Sequence, residues 1–292
     1  MRPGAAPILW RTLRDLRWHI AGYGIGLGIY AAMLVLIFPA FEEVLADLEL
    51  PAAYEALYGD AASDLTRPSN FFSLEFFSWG PLILSIYAAV VSTGALAGEE
   101  SRGTTELLLS LPVTRTRVFL EKLAGIVLGG LAIALVASIG WALTVPLVDL
   151  HGDTGILELL LATVLLLDAP LLFAAIGLLL GAVAPSRGVA GGILAAIIVF
   201  TFLASSFAAL ARQTEWLRYL SPFYYGDSTE LLTAGPTPGH LAVLAVASVG
   251  CTALALLAFR GREIGVASWQ LRAALGRRPR PQRAALDASR PS

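Results

Sequence analysis

Apolar runs long enough to cross a bilayer recur along the chain, separated by shorter polar segments. A helix that crosses a hydrocarbon core about 30 Å thick needs about 20 apolar residues. Six runs meet this requirement, at residues 20–41, 76–98, 123–148, 159–183, 188–211 and 241–259, and only the fourth contains a charged residue, Asp168. Because backbone in lipid must satisfy its own hydrogen bonds, the pattern predicts an all-α integral membrane protein. Its six transmembrane helices form one domain over residues 20–259.

Composition agrees with this class. Of the 292 residues, 57% are hydrophobic and 14% are charged, and the mean hydropathy is +0.73. These values are far from those of soluble domains. The formal net charge of −2 comes without a concentrated basic face, which excludes nucleic acid as a partner.

The chain has no recognisable means of binding a cofactor by itself. Cys251 is its only cysteine, and His19, His151 and His240 are too scattered along the sequence for a metal site. We expect the three histidines to lie at the surface. No G-x-x-x-x-G-K-[ST] phosphate-binding loop occurs. The sequence therefore predicts neither a metal nor a cofactor bound by this chain, and any ATP chemistry belongs to a partner.

Lysines and arginines fall almost entirely on one side of the predicted spans; the exceptions are Arg67, Arg212 and Arg218. Because positively charged loops stay in the cytoplasm, the pattern places both termini there, together with the loop of residues 99–122. Residues 260–292 then form a basic cytoplasmic tail. Its arginine and proline content predicts disorder in its last part.

The segment before the first span, residues 1–19, has an amphipathic pattern. One helical face is apolar, with Leu9, Leu13, Leu16 and Ile20. The other face carries arginines, at Arg11, Arg14 and Arg17. Such a helix lies in the membrane interface with its arginines toward anionic lipid, so membrane lipid is a predicted partner. The alternative is a helix that packs on another protein.

Two segments on the predicted outer side are long enough to have structure of their own. Residues 42–75 are acidic and include Pro51 and Gly59, which can begin and end a short helix. Residues 212–240 include an aromatic cluster at 216–225, typical of the membrane–water boundary. We expect this second segment to be re-entrant, with its backbone buried in protein or facing water.

The cytoplasmic loop of residues 99–122 is predicted to contain a short helix. Gly103 permits a flexible start, and Thr104 or Thr105 can cap the free amides of the helix. Glu106 favours the positive helix end, and Pro112 ends the helix after about two turns. Thr114 can then cap a second helix that leads into the third span.

Four leucines of this short helix would be exposed to water, which is costly unless a partner covers them. A rigid helix that is joined to two spans and inserted into a groove of a soluble protein can pass motion of that protein to the membrane. We therefore expect an ATPase-docking element in the loop. Its residues are Glu99, Glu100, Gly103, Thr104, Glu106, Leu107, Leu108, Leu109, Leu111, Pro112 and Arg115.

The run from Gly98 to Lys122, with its core GEE-x-x-GT-x-ELLLSLPV-x-R, resembles the corresponding loop of type 2 ATP-binding-cassette (ABC) transporter permeases. The order of six spans resembles that family from end to end. The resemblance implies the permease subunit of an exporter in the cell (plasma) membrane, not an enzyme. It also implies a homodimer, or a dimer with a paralogous permease, docked on ATPase subunits that bind ATP and Mg²⁺. An elbow helix before the first span and re-entrant helices between the fifth and sixth belong to the same pattern.

Asp168 lies near the middle of the fourth span, where a charged side chain is costly. Two interpretations are open. The acid is either a substrate or proton site in a transport pathway, or it is hydrogen-bonded inside the bundle beside a kink at Pro170.

Small residues on two spans permit close helix packing. The first span has two overlapping G-x-x-x-G pairs, Gly22 with Gly26 and Gly24 with Gly28. The fourth span has one pair, Gly177 with Gly181. A dimer interface and packing within one subunit are both open. Trp79-Gly80-Pro81 predicts a local kink in the second span.

Two other functions compete with ATP-driven export. An intramembrane enzyme using Asp168 is one, although the sequence has no second intramembrane acid, no H-E-x-x-H and no G-x-S-x-G. A membrane anchor or assembly factor is the other; it would bind an ATPase without moving cargo.

Overall fold

The structure, a computed structural model, describes residues 7–45, 64–101, 114–151, 154–208, 215–226 and 228–261. Side chains are described throughout these ranges except at 45, 96–101 and 215. One compact unit ends at Arg260, and of the second unit, residues 261–292, only Gly261 is described. Apart from its first two residues, the predicted basic tail lies outside the described residues, as does the predicted short helix at 51–59.

Six helical stretches are long and apolar enough to cross a membrane, and every regular element in the described ranges is helical. The prediction of an all-α, multi-pass membrane protein is confirmed. The spans are built from α1 (Pro7–Leu45), α2 (Pro68–Phe72) with α3 (Gly80–Ser101), α4 (Arg115–Thr144), α5 (Ile156–Leu165) with α6 (Asp168–Val183), α7 (Arg187–Ala208) and α9 (Pro238–Gly261), and a short helix, α8 (Pro222–Gly226), precedes the last.

The first helix is longer than a bilayer requires. α1 has 39 residues, which at 1.5 Å per residue gives about 58 Å, nearly twice the thickness of the hydrocarbon core. Residues 7–19 continue the helix of the first span without a break. Their predicted position in the membrane interface stays a prediction.

Two helix pairs form the centre of the bundle: α1 packs along α4, and α3 packs along α6. α7 lies beside α3 and α6, and α5 lies beside α4. α9 is the least buried of the spans. Most of its side chains therefore face away from the rest of the described unit.

Glycines allow α1 and α4 to approach closely. A Cβ atom on Gly24 would lie 2.8 Å from Cβ of Val136, and a Cβ atom on Gly140 would overlap the carbonyl oxygen of Gly28. Gly22 and Gly26 have nothing within 4 Å of such an atom among the described residues. One of the two G-x-x-x-G pairs on the first span therefore packs within the subunit, and the other lies on an open face.

An aromatic core closes the space between α4 and the beginning of the second span. The Trp141 ring lies 5.1 Å from that of Phe72 and 5.0 Å from that of Phe76, measured between centroids, with the rings edge to face. The indole N–H of Trp141 donates to Oγ1 of Thr163 at 3.1 Å. The large apolar rings are thus buried around one satisfied polar group, as membrane packing requires.

Two spans are interrupted next to prolines. A π-helical turn, Ser73–Phe77, separates α2 from α3, and α3 begins at Gly80, next to Pro81. The fourth span is interrupted at Leu166 and Leu167, between α5 and α6. Pro170 lacks the N–H that would bond to the carbonyl four residues earlier, at Leu166, and its ring crowds that carbonyl. The interruption therefore falls before the proline and not at it.

Candidate functional site

The predicted docking loop lies largely outside the described residues, which omit 102–113. Glu99 and Glu100 are in the last turns of α3, and α4 begins at Arg115. Thr114 caps α4 as predicted, because its Oγ1 accepts a hydrogen bond from the Arg117 N–H at 3.3 Å. We call the side of the bundle where α3 ends and α4 begins the loop side.

The first residue of α4 contacts the end of the last span. Nη1 of Arg115 donates to the carbonyl oxygen of Arg260 at 3.3 Å, and the rings of Phe119 and Phe259 lie 6.1 Å apart. The last carbonyls of a helix have no partner within the helix and carry partial negative charge. A cation at this position therefore stabilises the end of α9 and joins it to α4.

Glu121 joins α4 to the beginning of α1. Its Oε2 accepts hydrogen bonds from the N–H groups of Ile8 at 2.9 Å and Leu9 at 3.1 Å. Its Oε1 accepts from Nε of Arg117 at 2.7 Å. The Glu121 side chain is 11% exposed. Its carboxylate thus satisfies two of the free amides at the positive end of α1.

Lys122 joins α4 to α3. Its Nζ donates to the carbonyl oxygen of Ala95, and the residue is only 4% exposed. We call Arg115, Arg117, Glu121 and Lys122 the α4 cluster. Within two turns of one helix, this cluster contacts the loop-side ends of α1, α3 and α9.

The contacts of the α4 cluster also order the bundle ends. Ile8 and Arg260 both contact its residues, so the first and last described spans begin and end on the loop side. That arrangement agrees with six crossings. The assignment of this side to the cytoplasm stays a prediction from the arginine distribution.

Asp168 is the first residue of α6, directly after the interruption of the fourth span. Its Oδ1 accepts a hydrogen bond from the N–H of Ala169 at 2.5 Å. A Cβ atom on Gly226 would lie 3.2 Å from the same oxygen, so the end of α8 packs directly against the acid. The carboxyl group lies at the positive end of a helix, beside a glycine that leaves it room.

The short helix α8 packs into the bundle against α6 and α7. Ser221, just before it, is fully buried, and its Oγ donates to the carbonyl oxygen of Thr201, inside α7, at 2.8 Å. Phe223 lies between two aromatic rings, 5.2 Å from Phe173 and 5.4 Å from Phe202. The aromatic segment that the sequence singled out therefore lies next to Asp168, a proximity that the sequence did not indicate.

Two histidines differ from expectation. His151 is exposed, but His19 and His240 are half-buried, and Nδ1 of each is buried without a hydrogen-bond partner among the described residues. The expectation of surface positions is wrong for these two. His240 packs against the rings of Tyr224 and Tyr225, with centroids 5.2 and 5.4 Å away.

Several site residues escaped the sequence analysis. Glu121 and Lys122 lie at the end of the predicted loop of residues 99–122 and are not among its predicted docking residues, yet both side chains are largely buried. The spacing of Arg117 and Glu121, four residues apart, was the available signal for an ion pair on one helix face. No local pattern pointed to their partners, because Ile8 lies more than a hundred residues away along the chain.

These features define a class: a polytopic α-helical membrane protein with both ends of its helical unit on one side and a loop-side cluster that joins its helices. A comparison with protein families is more specific. The family model described as "Multidrug efflux system permease Rv1217c, C-terminal domain" matches residues 9–260. The match covers all six spans, so the chain belongs to this family and is a transport permease. No curated protein matches the chain.

Proposed function

We propose that this chain is the membrane-spanning permease subunit of an ATP-driven exporter of the type 2 ABC class. A separate ATPase subunit binds ATP and Mg²⁺ and docks on the loop of residues 99–122. The chain itself binds no cofactor and catalyses no reaction. The family description, a permease of a multidrug efflux system, supports outward movement of drug-like compounds, and the sequence of residues 98–122 supports the ABC class.

The observation that carries the proposal is the α4 cluster. It begins at Arg115, one residue after the Thr114 cap. A force applied to the segment between α3 and α4 therefore acts on α4 as well as on α3. Through Arg115, Glu121 and Lys122 the same displacement reaches the loop-side ends of α9, α1 and α3. Charge-assisted hydrogen bonds are stronger than neutral ones, and the Lys122 contact is also buried, so we expect these helix ends to move together.

The proposed assembly follows from this role. Two permeases, identical or paralogous, would present two loops to two ATPase subunits in the plasma membrane, with the loop side in the cytoplasm. The leucines at 107–109 and 111 would fill a groove of the ATPase, because a short apolar helix in water needs a cover.

The proposed cargo pathway runs past Asp168. The acid, Gly226 and the ring of Phe223 lie together where α6 and α8 meet. A carboxyl group beside the apolar and aromatic side chains described here suits apolar compounds that carry a cation or a hydrogen-bond donor, because the apolar surface provides contact and the polar group fixes orientation.

Reconstitution into vesicles with the ATPase subunit tests the docking role. The triple change Leu107→Gln, Leu108→Gln and Leu109→Gln should abolish ATP-dependent uptake of a fluorescent drug into inside-out vesicles and weaken ATPase binding. The matched control replaces the same three leucines by methionine, which keeps the apolar volume and should keep transport. Transport without the ATPase, or full binding by the glutamine variant, would refute the proposed coupling.

The substitution Asp168→Asn separates the cargo pathway from docking. It keeps the size of the side chain and removes the charge, so ATPase binding should stay normal while drug transport falls at least tenfold. Asp149→Asn, at an acid whose side chain is 86% exposed, is the control. Transport at the wild-type rate by Asp168→Asn would show that the acid has a structural role only. If the wild-type chain binds the ATPase normally but transports nothing, the alternative function of a membrane anchor would be favoured.

A further inference from the structure

A polar cavity opens between four helices on the loop side, beside the contact of Lys122 with Ala95 that the proposed coupling uses. Its volume is about 240 Å³, and its walls come from α1, α3, α4 and the first residue of α7. The polar residues in these walls are Thr12, Asp15, His19, Lys122 and Arg187. Lys122 is buried, whereas Asp15 and Arg187 are exposed, so the cavity joins a buried cation, which is costly to desolvate, to charges that reach water.

Two cations dominate the cavity. Lys122 is buried, and Nη2 of Arg187 donates to the carbonyl oxygen of Val90, in α3, at 3.3 Å. A Cβ atom on Gly94 would lie 3.1 Å from Cζ of Arg187, so the guanidinium rests on bare helix backbone. A guanidinium has five N–H donors in a planar fork that matches phosphate oxygens. Asp15 is the one acid among the described residues of the walls, and together with Lys122 and Arg187 it leaves these residues with a net positive charge.

His19 adds a second, independent observation. Its Nδ1 atom is buried and has no hydrogen-bond partner among the described residues. A buried polar atom without a partner is destabilising. A ligand oxygen in the cavity would accept a hydrogen bond from this nitrogen, which removes that cost.

An apolar groove continues from the cavity along the outside of α1. His19 lines both spaces, and the groove, of about 390 Å³, is otherwise lined by Trp18, Gly22 and Tyr23. Gly22 leaves it open, since a Cβ atom there would meet nothing within 4 Å. A polar, positively charged cavity joined to an apolar groove matches an anionic head attached to a hydrocarbon chain.

We infer that this site binds one anionic phospholipid from the loop-side leaflet. The phosphate lies between Lys122 and Arg187 and accepts a hydrogen bond from His19, and an acyl chain follows the groove at Gly22. Basic pockets between helices are known to hold phosphate headgroups, and the adjoining apolar groove provides space for an acyl chain.

The test is lipid titration of the delipidated full chain in detergent, read by native mass spectrometry. Three probes are compared: phosphatidylglycerol, phosphatidylethanolamine with the same acyl chains, and free glycerol phosphate. We expect one phosphatidylglycerol molecule to bind per protein chain at the lowest lipid concentrations. At the same concentration phosphatidylethanolamine should bind more weakly and glycerol phosphate should not bind. Equal binding of the two lipids would overturn the preference for an anionic headgroup. Binding of glycerol phosphate as tight as that of phosphatidylglycerol would overturn the role of the acyl chain.

Matched variants locate the site. Arg187→Gln should weaken phosphatidylglycerol binding about fivefold, the effect of one cation near an anionic headgroup, and Arg187→Lys should retain most of it. Arg67→Gln, the same change at an exposed arginine just before α2, at the other end of the second span, should leave binding unchanged. Gly22→Leu should block the groove, whereas Gly26→Leu, one turn away, should not. Equal losses in either pair would overturn the site and indicate diffuse attraction to the helix surface.

Discussion

Replacing Glu121 by alanine is expected to release the beginning of α1 from α4 while the bundle stays folded. The carboxylate accepts hydrogen bonds from the Ile8 and Leu9 amides and from Arg117. All three are lost in the variant. The residues between Leu16 and Phe38 that bury α1 in the core are untouched, so only the first turns of the helix should be affected.

The size of the effect follows from the environment of each bond. A hydrogen bond to a charged group contributes about 1.5–3 kcal/mol when it is well shielded. Ile8 and Leu9 are only half-buried, so water replaces part of each bond in the variant. The Arg117 side chain is 51% exposed, and an exposed pair four residues apart contributes about 0.3–0.5 kcal/mol. We therefore expect a loss of about 1.5–2.5 kcal/mol in local stability.

Hydrogen–deuterium exchange measures this loss directly. Since 1.4 kcal/mol is a factor of ten in an equilibrium constant, amides in the first turns of α1 should exchange about 10- to 60-fold faster in Glu121→Ala. Arg117→Gln is the control, because it removes only the exposed ion pair and should accelerate exchange about twofold. Exchange at the wild-type rate in the alanine variant, or equal acceleration in both variants, would contradict this role of Glu121.

Two further changes test the packing between spans. Gly140→Ala should destabilise the chain by up to about 3 kcal/mol, because the added methyl group overlaps the backbone of Gly28. Gly26→Ala is the control and should be neutral or slightly stabilising. Unfolding of both variants in mixed micelles measures the difference. Trp141→Phe keeps most of the ring packing but loses the hydrogen bond to Thr163, so its free energy of unfolding should fall by about 0.6–1 kcal/mol. A loss above about 3 kcal/mol would show that ring volume dominates.

Helix positions could be predicted from the sequence because hydrophobicity along a span is a local property. The runs at 188–211 and 241–259 correspond to α7 (Arg187–Ala208) and α9 (Pro238–Gly261) within a few residues. The Thr114 cap and the interruption at Trp79-Gly80-Pro81 were likewise readable, since a cap and a proline act on their own neighbours.

Partners across the bundle could not be predicted, because they depend on which helix faces which. Gly22 and Gly24 are equivalent in a sequence pattern, yet Gly24 meets Val136 and Gly22 faces open space. Lys122 has the sequence context of a solvated charge at a span end, but α3 passes close enough to bury it on the Ala95 carbonyl. The same holds for Asp168, whose neighbour Gly226 follows a whole span later.

The last span connects the two regions to which functions are assigned. At its loop-side end, Phe259 packs on Phe119 and the Arg260 carbonyl binds Arg115. At its other end, His240 packs on Tyr224 and Tyr225 of α8, and α8 ends against Asp168. Between these ends α9 is largely bare. Under the proposed coupling, we expect a displacement of α4 to be passed along α9 to α8, because α9 contacts both and is held by backbone hydrogen bonds along its axis.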